Sequence, residues 1–435
     1  MKRLLQQQLA QGQAHSQRQQ AGVTCPLPGG TTQLSQKHSK IVGYSPTSIA
    51  PMLSKLTKLF GNKPDADSAA DTMTLTDAQV LEAVAGLTDS NTGKTYAAAK
   101  AVKKIQISAD QLALEVVLAY PAASQFALIR SQFESALQAI AAGRTLQVTV
   151  RSQITSHAAQ RGVPLLPGVK NVIAVASGKG GVGKSTTAVN LALALQAEGA
   201  RVGILDADIY GPSQPLMLGL QGQRPETPDG KSLQPIINYG IQTMSIGYLV
   251  DADQAMVWRG PMVSQALQQL LNDTRWDNLD YLVIDMPPGT GDIQLTLSQK
   301  VPVTGALIVT TPQDIALLDA RKGVTMFQKV GVPILGMVEN MAIHICSNCG
   351  HAEHIFGEGG AARMAADFGV EVLGSLPLDM GIRLAVDQGK PTVAADPDGG
   401  VAALYKDIAR KLAVKVGEKA QDFSGKFPKI VIQNN

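Results

Sequence analysis

A glycine-rich loop at residues 174–187 has spacing typical of phosphate chemistry: Ala-Val-Ala-Ser-Gly-Lys-Gly-Gly-Val-Gly-Lys-Ser-Thr-Thr. An apolar run precedes the loop and an Ala- and Leu-rich helical segment follows it, which disfavours an incidental glycine turn. Because glycine lacks a Cβ atom, backbone N–H groups there can close around an anion. We therefore expect nucleotide binding by Gly178, Lys179, Gly180, Gly181, Val182, Gly183, Lys184, Ser185 and Thr186.

Three carboxylates follow predicted strands and complete the chemistry of an ATPase. Lys184 is expected to reach the β- and γ-phosphates, and the Ser185 hydroxyl is expected to bind Mg²⁺. Asp285 ends an apolar run, where a carboxylate supports the metal shell. Asp206 and Asp208 lie two residues apart at another strand end; Asp206 can hold waters of the metal, and Asp208 can orient the attacking water. Alternatively, one of this pair caps the following turn.

A second chemical feature is the pair Cys346 and Cys349. An inert buried pair is disfavoured by polar neighbours, and a redox pair would favour a helix N-terminus at the first cysteine. A zinc site using His351 and His354 would place four ligands in a tight loop. The remaining interpretation is a half-site, in which two chains supply four thiolates for a [4Fe–4S] cluster or for zinc.

The composition limits the classes of function. Of 435 residues, 45% are hydrophobic and 17% are charged, which is ordinary for a globular protein. A net charge of +3 gives no argument for a nucleic-acid partner, and no apolar run is long enough for a membrane span. The three cysteines exclude a disulfide framework, so we expect a reducing, cytoplasmic location.

Changes in composition and periodicity divide the chain into five segments. The first is acid-poor and is expected to be a disordered tail or an extension, because it cannot bury enough apolar surface. The expected segments are a tail at 1–72, a small α+β domain at 73–158, a linker at 159–169, a P-loop ATPase domain at 170–418 and a C-terminal tail at 419–435.

The pattern of elements defines the fold class. In the small domain we expect a helix capped by Thr76, strands at 104–107, 112–118 and 146–150, and a helix at 123–142. From residue 170 onward, apolar strands alternate with helices, which predicts an α/β, doubly wound and mostly parallel sheet.

Lys179 is not required by a phosphate loop, and here it resembles the deviant Walker A motif of the MinD/ParA/nitrogenase iron protein superfamily. The resemblance implies that Lys179 crosses a dimer interface to the nucleotide of the partner subunit and acts there in catalysis. It also implies that Asn340, at the end of a later strand, contacts adenine; an amide can pair with the edge of a purine.

The segments 178–185, 206–213, 285–289 and 346–349 together resemble the Mrp family of iron–sulfur carrier ATPases, and residues 74–157 fit its N-terminal domain. The resemblance covers all but the N-terminal tail and the C-terminal end. It implies a homodimer that holds a labile [4Fe–4S] cluster between Cys346 and Cys349 of both subunits. It further implies slow ATP hydrolysis. Scaffold proteins would supply the cluster, and apo iron–sulfur proteins would receive it.

Two other functions stay open from the sequence. A positioning ATPase of the MinD/ParA type would carry no cluster and would need its basic terminal helix at 401–416 for membrane or DNA association. That helix lacks Trp and Phe on its apolar face, which favours core packing over a membrane role. A plain ATPase with structural zinc is the third alternative.

Overall fold

The computed structural model describes residues 75–157, 163, 165–250 and 260–419. The expected tail at 1–72, part of the linker, and the chain from residue 420 onward lie outside the described residues. The described chain belongs to one compact unit. Within it, we call residues 75–157 the small module and residues 165–419 the nucleotide module.

The small module is a three-stranded sheet covered by two helices. Helix α1 begins with a capping box, in which Thr76 and Gln79 satisfy each other's backbone N–H groups. Strands β1 and β2 are antiparallel, whereas β2 and β3 are parallel and joined through α2. The elements are α1 (Asp77–Val84), β1 (Val102–Ile107), β2 (Gln111–Leu118), α2 (Phe126–Leu137) and β3 (Thr145–Ser152).

The helix expected at 123–142 is shorter than predicted at both ends. A 3₁₀ turn at Ala123–Gln125 precedes it, and the α-helix ends at Leu137. Ala142 and Gly143 both have positive φ, at 49° and 83°, so the chain reverses there. The helix packs through Ile129, Phe133 and Leu137, which recur at helical spacing and are buried.

The nucleotide module contains an eight-stranded sheet of order β13-β10-β9-β4-β8-β5-β7-β6. All neighbouring strands are parallel except the edge pair β6 and β7. The first elements are β4 (Val169–Ala176), α3 (Lys184–Ala197), β5 (Val202–Asp206), α4 (Gln214–Met217), β6 (Ile236–Asn238), β7 (Ile241–Ser245), α5 (Gly260–Asp273) and β8 (Leu279–Asp285).

The second half of this module contains α6 (Asp292–Lys300), β9 (Gly305–Thr310), α7 (Asp314–Lys329), β10 (Ile334–Glu339), β11 (His344–Ile345), β12 (Ala352–Glu353), α8 (Gly360–Phe368), β13 (Val372–Ser375), α9 (Met380–Asp387), α10 (Thr392–Ala395) and α11 (Gly400–Gly417). The predicted fold class, an α/β doubly wound and mostly parallel sheet, is confirmed. Because parallel strands end at the same edge, the carboxyl ends of β4, β5, β8 and β10 meet there.

The terminal helix α11 packs into the core. Tyr405, Ile408 and Leu412 on its apolar face are each at most 1% exposed, and the helix lies against α3. Among the helices that the structure describes, none combines the length and apolarity needed to cross a bilayer. The apolar face is therefore occupied by protein, as the sequence predicts for a core-packing helix.

Candidate functional site

The glycine loop joins β4 to α3 and has two kinds of glycine. A Cβ atom on Gly178 would lie 2.0 Å from the backbone carbonyl carbon of Asp319 in α7, and one on Gly183 would lie 2.1 Å from Asn340 Nδ2. In contrast, a Cβ atom on Gly180 or Gly181 would meet no protein atom within 4 Å. The first two glycines thus allow close packing, while the other two leave open space where phosphate oxygens fit.

Lys184 and Asp285 form a buried ion pair at the base of this loop. The Lys184 side chain is 6% exposed and that of Asp285 is fully buried. Lys184 Nζ also donates to the Ser185 hydroxyl at 3.1 Å. The predicted phosphate-binding lysine, the predicted metal-binding hydroxyl and the strand-end carboxylate are therefore brought together by β4, α3 and β8.

Asp206 lies directly beside Asp285, because the two residues are register partners in the parallel pair β5–β8. Its carboxylate accepts backbone N–H bonds from Asp208, Ser213 and Gln214 at 3.0–3.1 Å, which fixes the segment after β5. Burial, and then the negative charge of Asp285, raise the pKa of the Asp206 carboxyl above its ordinary value. The two adjacent buried carboxylates thus lie beside a single lysine, Lys184, which pairs with Asp285.

Asp208 is half-buried at the start of the segment that Asp206 holds. Burial raises the pKa of its carboxyl, and the nearby Lys184 ammonium opposes that increase. The structure thus places Asp208 within electrostatic reach of the phosphate-binding lysine. Its expected role in orienting water stays a prediction.

The residues present fit ATP and Mg²⁺. Open space beside Gly180 and Gly181 suits phosphates, and the hydroxyl of Ser185 with the carboxylate of Asp285 gives the hard oxygen donors that Mg²⁺ prefers. Two buried oxygens in the same region, Ser213 Oγ and Gln214 Oε1, have no hydrogen-bond partner in the protein. Such atoms are consistent with a site completed by a ligand and its waters.

Asn340 contacts the glycine loop. Its side-chain Nδ2 donates to the Val182 carbonyl at 2.9 Å, and its backbone N–H donates to the Thr310 carbonyl at 2.7 Å. The amide is 8% exposed. The structure brings Asn340 to the phosphate loop; contact with adenine stays a prediction.

Lys179 is exposed, in contrast to Lys184. Its backbone carbonyl accepts a hydrogen bond from Ser177 Oγ at 2.9 Å, which fixes the loop. Thr186, half-buried in the first turn of α3, is the last of the predicted loop residues. An exposed lysine at this position is free to reach another molecule, and the role across a dimer stays a prediction.

Cys346 and Cys349 lie at the tip of a hairpin formed by the antiparallel strands β11 and β12. Both are free thiols, and Cys349 is exposed. The turn is closed by Cys346 N donating to the His351 carbonyl and by Gly350 N donating to the Cys346 carbonyl, at 2.9 and 2.8 Å. Hydrogen bonds from the backbone N–H groups of Cys349 and Asn348 lower the pKa of the Cys346 thiol, which favours the thiolate that metals bind.

The structure does not assemble the zinc site considered with His351 and His354. His354 Nδ1 lies 2.7 Å from the Ala342 carbonyl, so this imidazole binds the chain at the base of the hairpin. No group of three or more potential metal-ligating side chains occurs in the part of the chain that the structure describes. One chain thus supplies a pair of thiolates rather than a complete tetrahedral site.

Sequence reasoning missed two contributors to the nucleotide site. Gln214 Nε2 donates to Asp285 Oδ2 at 2.8 Å and to the Ser185 carbonyl at 3.2 Å. Ser245, at the end of β7, donates its hydroxyl to Asp206 at 3.1 Å. Both residues are fully buried. Neither residue belongs to a recognisable motif. The strand order places Ser245 of β7 beside β5, and the turn after β5 brings Gln214 back to Asp206.

The sheet order, the glycine loop and the strand-end carboxylates define the class of protein, a P-loop NTPase. The family model described as "NUBPL iron-transfer P-loop NTPase" matches residues 168–413, and the one described as "Iron-sulfur cluster assembly protein" matches residues 77–150. The chain belongs to the NUBPL iron-transfer P-loop NTPase family. The family resemblance stated from the sequence is thereby confirmed.

Three relatives illustrate the similarity. The "Iron-sulfur cluster carrier protein" of Pseudomonas fragi is 64% identical over 264 residues, covering 60% of this chain and 92% of the relative. The protein of that name from Escherichia coli (strain K12) is 54% identical over 317 residues, covering 73% and 86%. The mouse "Iron-sulfur cluster transfer protein NUBPL" is 52% identical over 264 residues, covering 60% and 82%.

Proposed function

We propose that this protein is an ATP-hydrolysing carrier of iron–sulfur clusters. The observation that carries the proposal is the position of the free Cys346–Cys349 pair. The pair follows β10 by a few residues, and Asn340 at the end of that strand donates to the P-loop. The cysteine pair and the nucleotide site thus lie close to the same end of β10, which is consistent with relatives named iron–sulfur cluster carrier and transfer proteins.

The nucleotide part of the proposal uses the residues at the sheet edge. The loop from Gly178 to Thr186 binds the phosphates of ATP, with Lys184 moving from Asp285 to the β- and γ-phosphates. Ser185 and Asp285 would hold Mg²⁺, which when bound neutralises charge on the phosphates. Asp208 orients the attacking water, and Asp206 holds the segment that carries it.

The cluster is the cargo and needs two chains. Because each chain presents two thiolates and a [4Fe–4S] cluster takes four, we infer a homodimer with the cluster between Cys346 and Cys349 of both subunits. Lys179 would reach the nucleotide of the partner subunit, so ATP would control the dimer geometry. Cluster scaffold proteins would load the carrier, and apo iron–sulfur proteins would receive the cluster. Free thiols of this kind suit a reducing compartment, and we place the protein in the cytoplasm.

The decisive experiment is anaerobic iron–sulfur reconstitution of the full chain and of a Cys346→Ala/Cys349→Ala variant. We expect a brown species with about four iron atoms per dimer in the wild type, lost in the variant. Cys25→Ala is the matched control and should load normally. Zinc alone, or a colourless protein that is indifferent to both cysteines, would exclude the carrier and favour a MinD/ParA-type positioning ATPase.

A further inference from the structure

Gln214 is a fully buried amide at the centre of the nucleotide site. Its side-chain nitrogen bridges two elements, donating to Asp285 Oδ2 at the end of β8 and to the Ser185 carbonyl in α3. Its backbone N–H donates to Asp206 Oδ2. One residue therefore contacts both strand-end carboxylates and the residue expected to bind Mg²⁺.

The orientation of the amide is fixed by chemistry. A carboxylate oxygen without a proton and a backbone carbonyl can only accept hydrogen bonds, so the NH₂ group must face Asp285 and Ser185. The amide oxygen, bonded to the same carbon, must then point away from them. That oxygen, Oε1, is buried and has no hydrogen-bond partner in the protein.

An unpartnered buried acceptor is costly unless a ligand supplies a donor. Lys184, the nearest cation to this carboxylate, already donates to Asp285 Oδ1, which leaves Oδ2 to Gln214. Waters bound to a divalent cation are strong donors, and Ser185 and Asp285 are the residues that would hold that cation. Ser213 Oγ, one residue before Gln214, is a second buried oxygen without a partner.

We propose that Gln214 is a positioning residue of the Mg²⁺ site. Its nitrogen holds the Asp285 carboxylate in place, and its oxygen accepts a hydrogen bond from a metal-bound water. This role rests on the nucleotide part of the proposed function and is independent of the cysteine pair. Groups that orient metal ligands in this way commonly change metal affinity about 10- to 100-fold when mutated.

The test is calorimetric titration of the full chain with ADP, with and without Mg²⁺, which measures binding rather than turnover. The quantity compared between variants is the Mg²⁺ gain, which is the ratio of the ADP affinity with Mg²⁺ to the ADP affinity without it. In Gln214→Met, which is close in size but apolar, we expect this gain to fall about tenfold. In Gln214→Glu, the donor to Asp285 is replaced by a second carboxyl group that faces it, so the gain should also fall.

Gln294→Met is the matched control, because Gln294 is also a buried amide but makes none of the hydrogen bonds to Asp285 and Ser185 that Gln214 makes. Its Mg²⁺ gain should equal that of the wild type. An unchanged gain in both Gln214 variants would overturn the proposal, as would an equal loss of ADP affinity with and without Mg²⁺. If the wild type bound no ADP, the proposed function itself would fail. Because the gain compares two ADP affinities of the same variant, a smaller folded fraction lowers both equally and cannot imitate a lower gain.

Discussion

Gly183 must be glycine for two independent reasons, and neither involves a ligand. Its φ is +82°, in the left-handed region, and a Cβ atom there would lie 2.1 Å from Asn340 Nδ2. Asn340 could move only by giving up its hydrogen bond to the Val182 carbonyl. Gly181 has the same φ, but its Cβ atom would meet nothing within 4 Å. A comparison of the two glycines therefore distinguishes the cost of backbone strain, which both positions share, from the cost of a steric clash, which only Gly183 has.

We predict that Gly183→Ala lowers the free energy of unfolding more than Gly181→Ala does. Both changes place an L-residue in the left-handed region, at about 1–2 kcal/mol. Gly183→Ala also breaks the Asn340 bond and leaves buried polar groups unsatisfied, which adds about 1–3 kcal/mol. Urea unfolding without nucleotide measures both values. Equal losses would show that Asn340 does not restrain the loop.

At the scale of elements, the periodicity of the sequence predicted the alternation of strands and helices from residue 170 onward and the elements of the small module, but not the strands β6 and β7. It did not predict where α2 ends, because the apolar spacing continues to Ile140, beyond the last helical residue Leu137. The nucleotide site was likewise predicted only in part. Lys184, Ser185 and Asp285 follow a recognisable spacing, whereas Gln214 is an ordinary glutamine until the fold buries it against Asp285.

The cysteine hairpin is an element held at its base by two imidazoles. His354 Nδ1 donates to the Ala342 carbonyl at 2.7 Å, and His344 Nδ1 lies 3.1 Å from the Leu378 carbonyl. Ala342 in turn follows Asn340, the residue that contacts the P-loop. These contacts fix the hairpin to the nucleotide edge of the sheet, so they set how firmly the two thiolates are held together.

We predict that His354→Leu still loads iron but loses its cluster to a chelator several-fold faster than the wild type. The expected size follows from loss of one hydrogen bond, about 1 kcal/mol. Decay of the visible absorbance after chelator addition gives the rate. His351→Ala is the control: its side chain is exposed on the same hairpin, and its rate should match the wild type. Equal rates in all three proteins would contradict the anchoring role.

At the scale of the whole molecule, α3 connects the two modules. It begins at the P-loop with Lys184 and ends about 21 Å away, at 1.5 Å per residue, beside the small module. Its C-cap, Glu198, is fully buried, pairs with Arg410 of α11 and accepts from both the N–H and the hydroxyl of Ser124. A carboxylate is unfavourable at a helix C-terminus, so these partners must compensate for it.

An ion pair that joins the two modules directly, Lys94 with Glu418, has both side chains largely exposed, at 58% and 42%. The Glu198–Arg410 pair lies within the nucleotide module and contacts the small module through Ser124, whereas the Lys94–Glu418 pair crosses between the modules in solvent. Burial makes the Glu198–Arg410 pair sensitive to loss of one partner, because the remaining charge is left without water. Solvent screens the exposed pair, and its contribution to stability is small.

We predict that Arg410→Met lowers the free energy of unfolding by about 3 kcal/mol or more, since it leaves the Glu198 carboxylate buried and unpaired. Lys94→Met is the matched control and should cost at most about 1 kcal/mol. Adding Glu198→Gln to Arg410→Met removes the uncompensated charge and should restore part of the loss. Chemical denaturation of the full chain measures all three. If Arg410→Met and Lys94→Met lost the same free energy, Arg410 would not be the group that compensates the buried Glu198 carboxylate at the end of α3.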